Sequence, residues 1–419
     1  MKFLPLVLAT AFLFAGCTTT EPIVPPTPTS TSEVPVPTTV RSTTTTAAAP
    51  ADPVAAELAS LIAVTEELRL LEFKTSPTIE LLDTRAFARR VKDLLDDALS
   101  QQAIEVDEQL YQLLGILEPG ESLASIYSDV AGEQTAAFYD TDTKSLVVPE
   151  PDGAFTVIER VTIVHELVHA LTDQHFGTTA QRDSLSGGSY DKELALASLV
   201  EGDATYVEGL YIDRLGPEAL AELVAAYGTI DGDSFSEAPP FIQETLLAPY
   251  IDGLEFVISL ISSGGLDALD AAYLAPPSTT EQVRHPEAYL SGDVGRAFEM
   301  DIINVDGYDV VETSVWGESA LIGLLSGQLL SDKVFEGAEG WNGDGFEVLF
   351  NGTDVAFRLI YFGDTAEDDQ EFLDAITAFM ELAVHPDAFA EARHAGSSIV
   401  VVISSDLGVG PRIFDQMDF

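Results

Sequence analysis

The chain has 419 residues, a formal net charge of −51 and a single cysteine. A field this negative repels nucleic acid and anionic lipid headgroups, so we expect no nucleic-acid partner and a soluble monomer. A single cysteine excludes any intrachain disulfide, and the fold must therefore depend on its hydrophobic core.

The first 17 residues have the composition of a lipoprotein signal peptide. Lys2 precedes an apolar stretch over residues 3–14 that is too short to span a membrane, and Cys17 follows soon after it. A lone cysteine in this position is typical of a lipidation site. We therefore expect Cys17 to carry a membrane anchor. The protein would then lie in the cell envelope, on the outer face of the cytoplasmic membrane, or be secreted.

Residues 18–53 consist almost entirely of Thr, Pro, Ser, Val and Ala. Such a segment has too little large apolar surface to offset the entropy lost on ordering, which predicts a disordered tether. We expect residues 54–290 to form the main domain, with a helical N-terminal part, and residues 291–419 to form a C-terminal α+β lobe. The predicted fold class is α+β and mostly helical.

Hydrophobic periodicity predicts the individual elements of both parts. In the main domain it indicates helices over residues 54–71, 85–99 and 107–114, a β-hairpin over 135–139 and 145–148, and further helices over 161–176, 191–215, 218–227 and 242–263. In the C-terminal lobe it indicates strands over residues 306–315, within 346–362 and over 398–404, and helices over 317–330 and 366–382.

The helix predicted over residues 161–176 carries the motif His165-Glu166-Leu167-Val168-His169. Residues four apart in an α-helix lie within about 40° of each other, so both imidazoles reach one metal ion. Glu166, about 100° round the helix from His165, would lie beside that ion and activate a bound water. The neighbouring residues are apolar on nearly every side. Because unpartnered polar groups are costly in such a core, a metal ion is expected here.

A third ligand is needed to complete such a site, and Glu201 is the preferred candidate. It lies in an apolar, Ala-rich run that predicts a second helix, returning antiparallel to the first after the loop at 177–190. His175 is the alternative, because it follows His169 by six residues, the spacing of a metzincin site. A metzincin has glycine where this chain has Thr172, and an unbroken helix would turn His175 about 240° away.

His-Glu-x-x-His followed by a helix that carries Glu201-Gly202-x-Ala204 resembles the gluzincin metallopeptidases. The chain also resembles a bacterial family of predicted zinc-dependent lipoproteins and secreted proteins. This likeness extends over roughly residues 55–365 and includes the segments 136–140, 165–176, 249–257, 276–286 and 340–345. The resemblance implies a gluzincin-like core in which His165, His169 and Glu201 bind Zn²⁺. It also implies that the predicted hairpin forms a small edge sheet, to which a peptide substrate adds as a further strand.

Four further residues are assigned supporting roles. His285, in a Pro-flanked loop, is the first candidate to donate a hydrogen bond to the oxyanion, and Tyr206 is the second. Asp173 and Asp203 are the candidates to accept the second N–H of a ligand imidazole.

The sequence therefore predicts a zinc-dependent peptidase that acts on peptide or protein substrates outside the cytoplasm, with Glu166 activating a zinc-bound water. The alternative is a non-catalytic binding or assembly lipoprotein with a structural or vestigial zinc site. Glu166 favours the peptidase, because a structural site has no use for a carboxylate at this position and would have a fourth protein ligand.

Overall fold

A computed structural model of the chain describes residues 52–98, 101–134, 136–229, 232–296, 300–301 and 303–417. The predicted signal peptide, Cys17 and almost all of the predicted tether lie outside these residues. Within the described residues the fold is α+β and mostly helical, with two small sheets, as the sequence predicted.

The N-terminal part is helical and contains the smaller sheet. Its elements are α1 (Pro53–Arg69), β1 (Thr78–Leu82), α2 (Thr84–Ala98), α3 (Gln101–Leu113), α4 (Leu123–Gln134), β2 (Phe138–Asp140) and β3 (Ser145–Pro149). The central strand β3 runs parallel to β1 and antiparallel to β2, which leaves β2 at an edge of the sheet. The predicted hairpin is therefore confirmed, whereas β1 and α4 were not predicted.

Two long helices follow and lie against each other. Helix α5 (Val157–Phe176) begins with a capping box, in which the Thr156 hydroxyl accepts the backbone N–H of Glu159 and the Glu159 carboxylate accepts that of Thr156. It ends at Gly177, whose φ of 69° disfavours any residue with a Cβ. The short helix α6 (Thr178–Leu185) occupies part of the predicted loop, and α7 (Tyr190–Asp213) then packs on α5.

The remaining helices of the main domain are α8 (Pro217–Tyr227), α9 (Asp233–Glu237), α10 (Pro240–Gly264), α11 (Leu266–Leu274), α12 (Thr280–Arg284) and α13 (Pro286–Ser291). Among the described helices, α10 is long and apolar enough to cross a membrane. Buried core helices can have the same length and composition. The inner face of α10 is buried against α7 and α14, the helix that follows at Gly317–Ser326. Helix α10 is therefore a core helix, in the region where the sequence predicted a helix over residues 242–263.

The C-terminal lobe contains a five-stranded antiparallel sheet in the order β4-β5-β6-β8-β7. Its elements are β4 (Asp309–Ser314), α14, α15 (Ser331–Ala338), β5 (Trp341–Phe350), β6 (Val355–Gly363), α16 (Ala366–Ala383), β7 (Phe389–Ala395), β8 (Ser398–Ser404) and α17 (Val409–Phe414). All the strands and helices predicted in this lobe are present, whereas α15, β7 and α17 were not predicted.

One hydrophobic cluster crosses the boundary predicted between residues 290 and 291. It joins Leu110 of α3 and Phe241 of α10 to Phe346 and Phe357 of the C-terminal sheet. The fully buried ring of Trp316 lies between them, with its centroid 6.2 Å from that of Phe241 and 4.9 Å from that of Phe357. Large buried aromatic rings contribute strongly to core stability, so the lobe and the helices stabilise each other.

The start of α7 is hydrogen-bonded to residues from the C-terminal half of the chain. The Asp191 backbone N–H donates to the carbonyl oxygen of Val315 at 3.1 Å. The Asp191 carboxylate accepts the backbone N–H and the hydroxyl of Thr280, at 2.7 and 2.6 Å. These contacts hold the first turn of the helix that carries Glu201.

Candidate metal centre

Side chains from α5 and α7 converge at one point. Glu201 Oε2 lies 3.1 Å from His165 Nε2 and 3.3 Å from His169 Nε2. One ligand atom from each of the three residues lies within 4.8 Å of the others, and the described part of the chain contains no second group of this kind. The structure therefore brings together the three residues that the sequence predicted as ligands.

The charges of this group favour a cation at its centre. Burial opposes protonation of His165, but hydrogen bonds to Glu201 and Glu208 outweigh it and raise the pKa of the ring to about 10. Burial likewise opposes ionisation of Glu201, but attraction to His169 and His165 lowers the pKa of its carboxyl to about 2. Imidazole nitrogens and carboxylate oxygens are ordinary ligands of divalent metal ions, so the group can hold such an ion in place of a proton.

The Glu166 carboxylate lies next to this group without being one of its members. Its Oε2 accepts the backbone N–H of Tyr139 at 2.7 Å, which ties α5 to the edge strand β2. Burial raises the pKa of Glu166, although the nearby rings of His169 and His165 offset part of the rise. A buried carboxylate whose pKa is raised in this way is suited to accepting and returning a proton.

Glu208 contacts the outer nitrogen of His165 and was missed in the sequence analysis. Its fully buried carboxylate lies 3.1 Å from His165 Nδ1, on the opposite side of the ring from Glu201. This contact fixes the ring so that Nε2 faces the metal group. Glu208 follows Glu201 by seven residues, two turns along the same helix face, and that spacing could have identified it. His169 Nδ1 has no such partner among the described residues.

Asp203 does not accept an imidazole N–H, contrary to the prediction. Its buried carboxylate accepts hydrogen bonds from Arg69 Nε and from the Tyr273 hydroxyl, both at 2.9 Å. Asp203 is two residues past Glu201, which places it about 200° round α7, on the far side from the metal group. It joins α7 to α1 and α11 instead.

Asp173 also has a different role from the predicted one. Its carboxylate accepts the Tyr139 hydroxyl at 3.0 Å and the backbone N–H of Thr179 at 2.9 Å. The latter bond satisfies a donor in the first turn of α6, where an acceptor is needed. Asp173 thereby supports the β2 edge and the turn after α5, and no described bond joins its carboxylate to either ligand imidazole.

No described contact joins either candidate oxyanion donor to the metal ligands, so the roles of His285 and Tyr206 stay predictions. His285 Nε2 lies 3.1 Å from Glu318 Oε1, so the ring is paired with a carboxylate of α14. Tyr206 packs among hydrophobic residues of the core. His175, the alternative ligand, contacts the carbonyl oxygen of Glu72 at 2.8 Å and is absent from the metal group, as the helix geometry predicted.

Tyr250 is a second residue that the sequence analysis missed. Its ring stacks on His165, with centroids 6.1 Å apart, and its hydroxyl donates a hydrogen bond to Glu201. The segment around Tyr250 carried part of the family resemblance, but no chemical role followed from it. Tyr250 and Glu201 lie on different helices, α10 and α7, so no short-range pattern connects them.

Comparison of the chain with protein-family models gives no match, and comparison with curated proteins gives none either. The resemblance to gluzincins therefore stays a prediction based on the motifs.

Proposed function

We propose that this protein is a zinc-dependent peptidase in which Glu166 transfers the proton. The observation that carries the proposal is the position of Glu166, beside the group formed by His165, His169 and Glu201 and not within it. Two imidazoles and one carboxylate are the ligands of many catalytic zinc sites, which keep one coordination position open. When bound, zinc would supply a Lewis acid that polarises the scissile carbonyl and makes water more acidic.

Glu166 would perform the acid–base chemistry of this reaction. Its carboxylate accepts a proton from the attacking water and then delivers it to the departing amine. Burial favours the protonated form, which helps the carboxyl hold the proton between the two steps. The backbone N–H of Tyr139 binds one carboxylate oxygen and restricts the rotation of the side chain.

The edge strand supports a peptide as the substrate. Strand β2 pairs with β3 on one side alone, and the Tyr139 N–H on its other side points to Glu166. An extended peptide added along this edge would place its backbone next to the candidate base. We propose that the peptidase acts outside the cytoplasm, anchored through Cys17, as the N-terminal sequence indicates.

The test compares wild type with Glu166→Gln and with Glu222→Gln, a matched control on the exposed surface of α8. Bound zinc is measured by elemental mass spectrometry, and hydrolysis is measured on a peptide library. We expect zinc in all three proteins and cleavage by wild type and the control. Glu166→Gln should lose a factor of roughly 10²–10⁴ in rate.

Equal cleavage by wild type and Glu166→Gln would overturn the role of Glu166. A wild type that binds zinc and cleaves nothing would support the alternative, a binding or assembly lipoprotein with a structural zinc site. Wild-type protein that binds no zinc would refute both functions.

A further inference from the structure

Helices α7 and α10 touch through their backbones at two glycines. A Cβ built on Gly202 would lie 2.2 Å from the carbonyl oxygen of Gly253, and one built on Gly253 would lie 2.2 Å from that of Ser198. Both distances are shorter than any real Cβ contact, so this separation of the helices requires glycine at both positions. Gly202 directly follows Glu201, which places the contact between the helices beside the metal group.

This close approach brings Tyr250, one turn before Gly253, onto the metal group. Tyr250 is 2% exposed, and its ring stacks on His165 at an interplanar angle of 26°. Its hydroxyl donates to the Glu201 carboxylate.

Glu201 needs a partner of this kind more than the two histidines do. Its side chain has several rotatable bonds and is 13% exposed, so burial alone does not fix the orientation of the carboxylate. Its hydrogen bonds to His165 and His169 use the nitrogens that a metal ion would take over. The Tyr250 hydroxyl bonds the same carboxylate without using an imidazole nitrogen, so this contact does not compete with metal binding by the two rings.

We propose that Tyr250 is a positioning residue that holds the Glu201 carboxylate in place for metal binding, and that the Gly202–Gly253 contact sets the position of its hydroxyl. The inference rests on the metal-binding part of the proposed function. It does not require that the protein cleave peptides.

The test uses Tyr250→Phe in the full chain and measures two properties of metal binding. The zinc dissociation constant is obtained by competition with a chelator. Cobalt(II) is used as a second probe, because its visible absorption spectrum reports the geometry of its ligands. Outer partners of metal ligands typically contribute about 10–100-fold in affinity, so we expect a loss of that size in zinc binding together with a changed cobalt spectrum.

Tyr361→Phe is the matched control. Tyr361 is fully buried in the C-terminal sheet and stacks on Phe372 with ring centroids 3.8 Å apart, and its hydroxyl has no hydrogen-bond partner among the described residues. This variant also removes one buried hydroxyl, but we expect wild-type zinc affinity and an unchanged cobalt spectrum. Thermal unfolding followed by circular dichroism checks that both variants fold.

An unchanged zinc affinity or an unchanged cobalt spectrum in Tyr250→Phe would overturn the positioning role and leave the proposed peptidase intact. Wild-type protein that binds neither zinc nor cobalt would refute the peptidase and this inference together.

Discussion

The backbone N–H of Tyr139 donates a 2.7 Å hydrogen bond to the Glu166 carboxylate, so the edge strand β2 and the metal helix α5 meet at the candidate base. The donor belongs to the backbone, and most substitutions at this position preserve it. The Tyr139 hydroxyl makes a separate bond, to Asp173 at 3.0 Å.

The first prediction concerns this backbone donor. Tyr139→Pro removes the N–H, and proline is tolerated in edge strands where the N–H faces away from the neighbouring strand. A hydrogen bond to a charged group contributes about 1.5–3 kcal/mol, so peptide hydrolysis should fall by roughly 10- to 100-fold while zinc is retained. Tyr139→Phe is the comparison, because it lacks the hydroxyl but keeps the N–H. Equal rates in the two variants would contradict the prediction.

The second prediction concerns Glu208, whose carboxylate orients the His165 ring. Glu208→Leu fills the same space without an acceptor and should weaken zinc binding by about 10- to 100-fold. Glu208→Gln keeps an acceptor oxygen and should weaken zinc binding less. Chelator competition measures both dissociation constants, and equal losses in the two variants would contradict the role of Glu208 as acceptor of the His165 N–H.

The third prediction concerns Gly317, which lies against the Asp191 carboxylate. A Cβ at Gly317 would be 1.9 Å from Asp191 Oδ1, and the backbone there has a φ of 79°. Gly307 has a similar φ of 88° but no atom within 4 Å of such a Cβ. Gly307→Ala should therefore lower the free energy of unfolding only by the strain of the left-handed conformation, about 1–2 kcal/mol. Gly317→Ala should lower the free energy of unfolding, measured in urea, by clearly more than Gly307→Ala does. Equal losses in the two variants would contradict the steric argument.

The fourth prediction concerns the pH dependence of stability. Burial, with repulsion from Asp344 and Glu318, raises the pKa of Asp191 from 3.8 to about 8 despite hydrogen bonds from Thr280. Between these pH values the folded protein binds the proton and the unfolded chain does not. The contribution of Asp191 to the free energy of unfolding therefore falls as pH rises from about 4 to 8, by at most about 1.4 kcal/mol per pH unit.

Asp191→Asn removes this titration and keeps an acceptor for Thr280. Its free energy of unfolding, measured in urea at several pH values, should fall less steeply than that of wild type between pH 4 and 8. Asp267→Asn, at an exposed position of α11, should follow the wild-type curve. Parallel curves for Asp191→Asn and wild type would show that Asp191 is already ionised throughout this range.

The local part of the site could be predicted from the sequence. Four-residue spacing places His165 and His169 on one helix face, and the apolar run around Glu201 indicated a second buried helix. The predicted start of the metal helix, residue 161, was four residues late. The reason is that the capping box at Thr156 and Glu159 precedes the dense apolar run.

The partners of the ligands could not be predicted in the same way. Asp203 was a reasonable candidate from its position near Glu201, but its partner Arg69 lies on α1, 134 residues earlier in the chain. Tyr250 reaches Glu201 from α10. Contacts of this kind depend on how separate helices pack, for which no periodic pattern exists in the sequence.

The sequence by itself determined most of the longer helices and strands and the angular positions of the ligands on α5, because these follow from local backbone geometry. The tertiary structure decided which polar groups surround the metal ligands. Glu208, Tyr250 and the Tyr139 N–H reach the site only because α5, α7, α10 and β2 pack closely at one place. That packing is the sum of many weak contacts between distant parts of the chain, such as the one between Gly202 and Gly253.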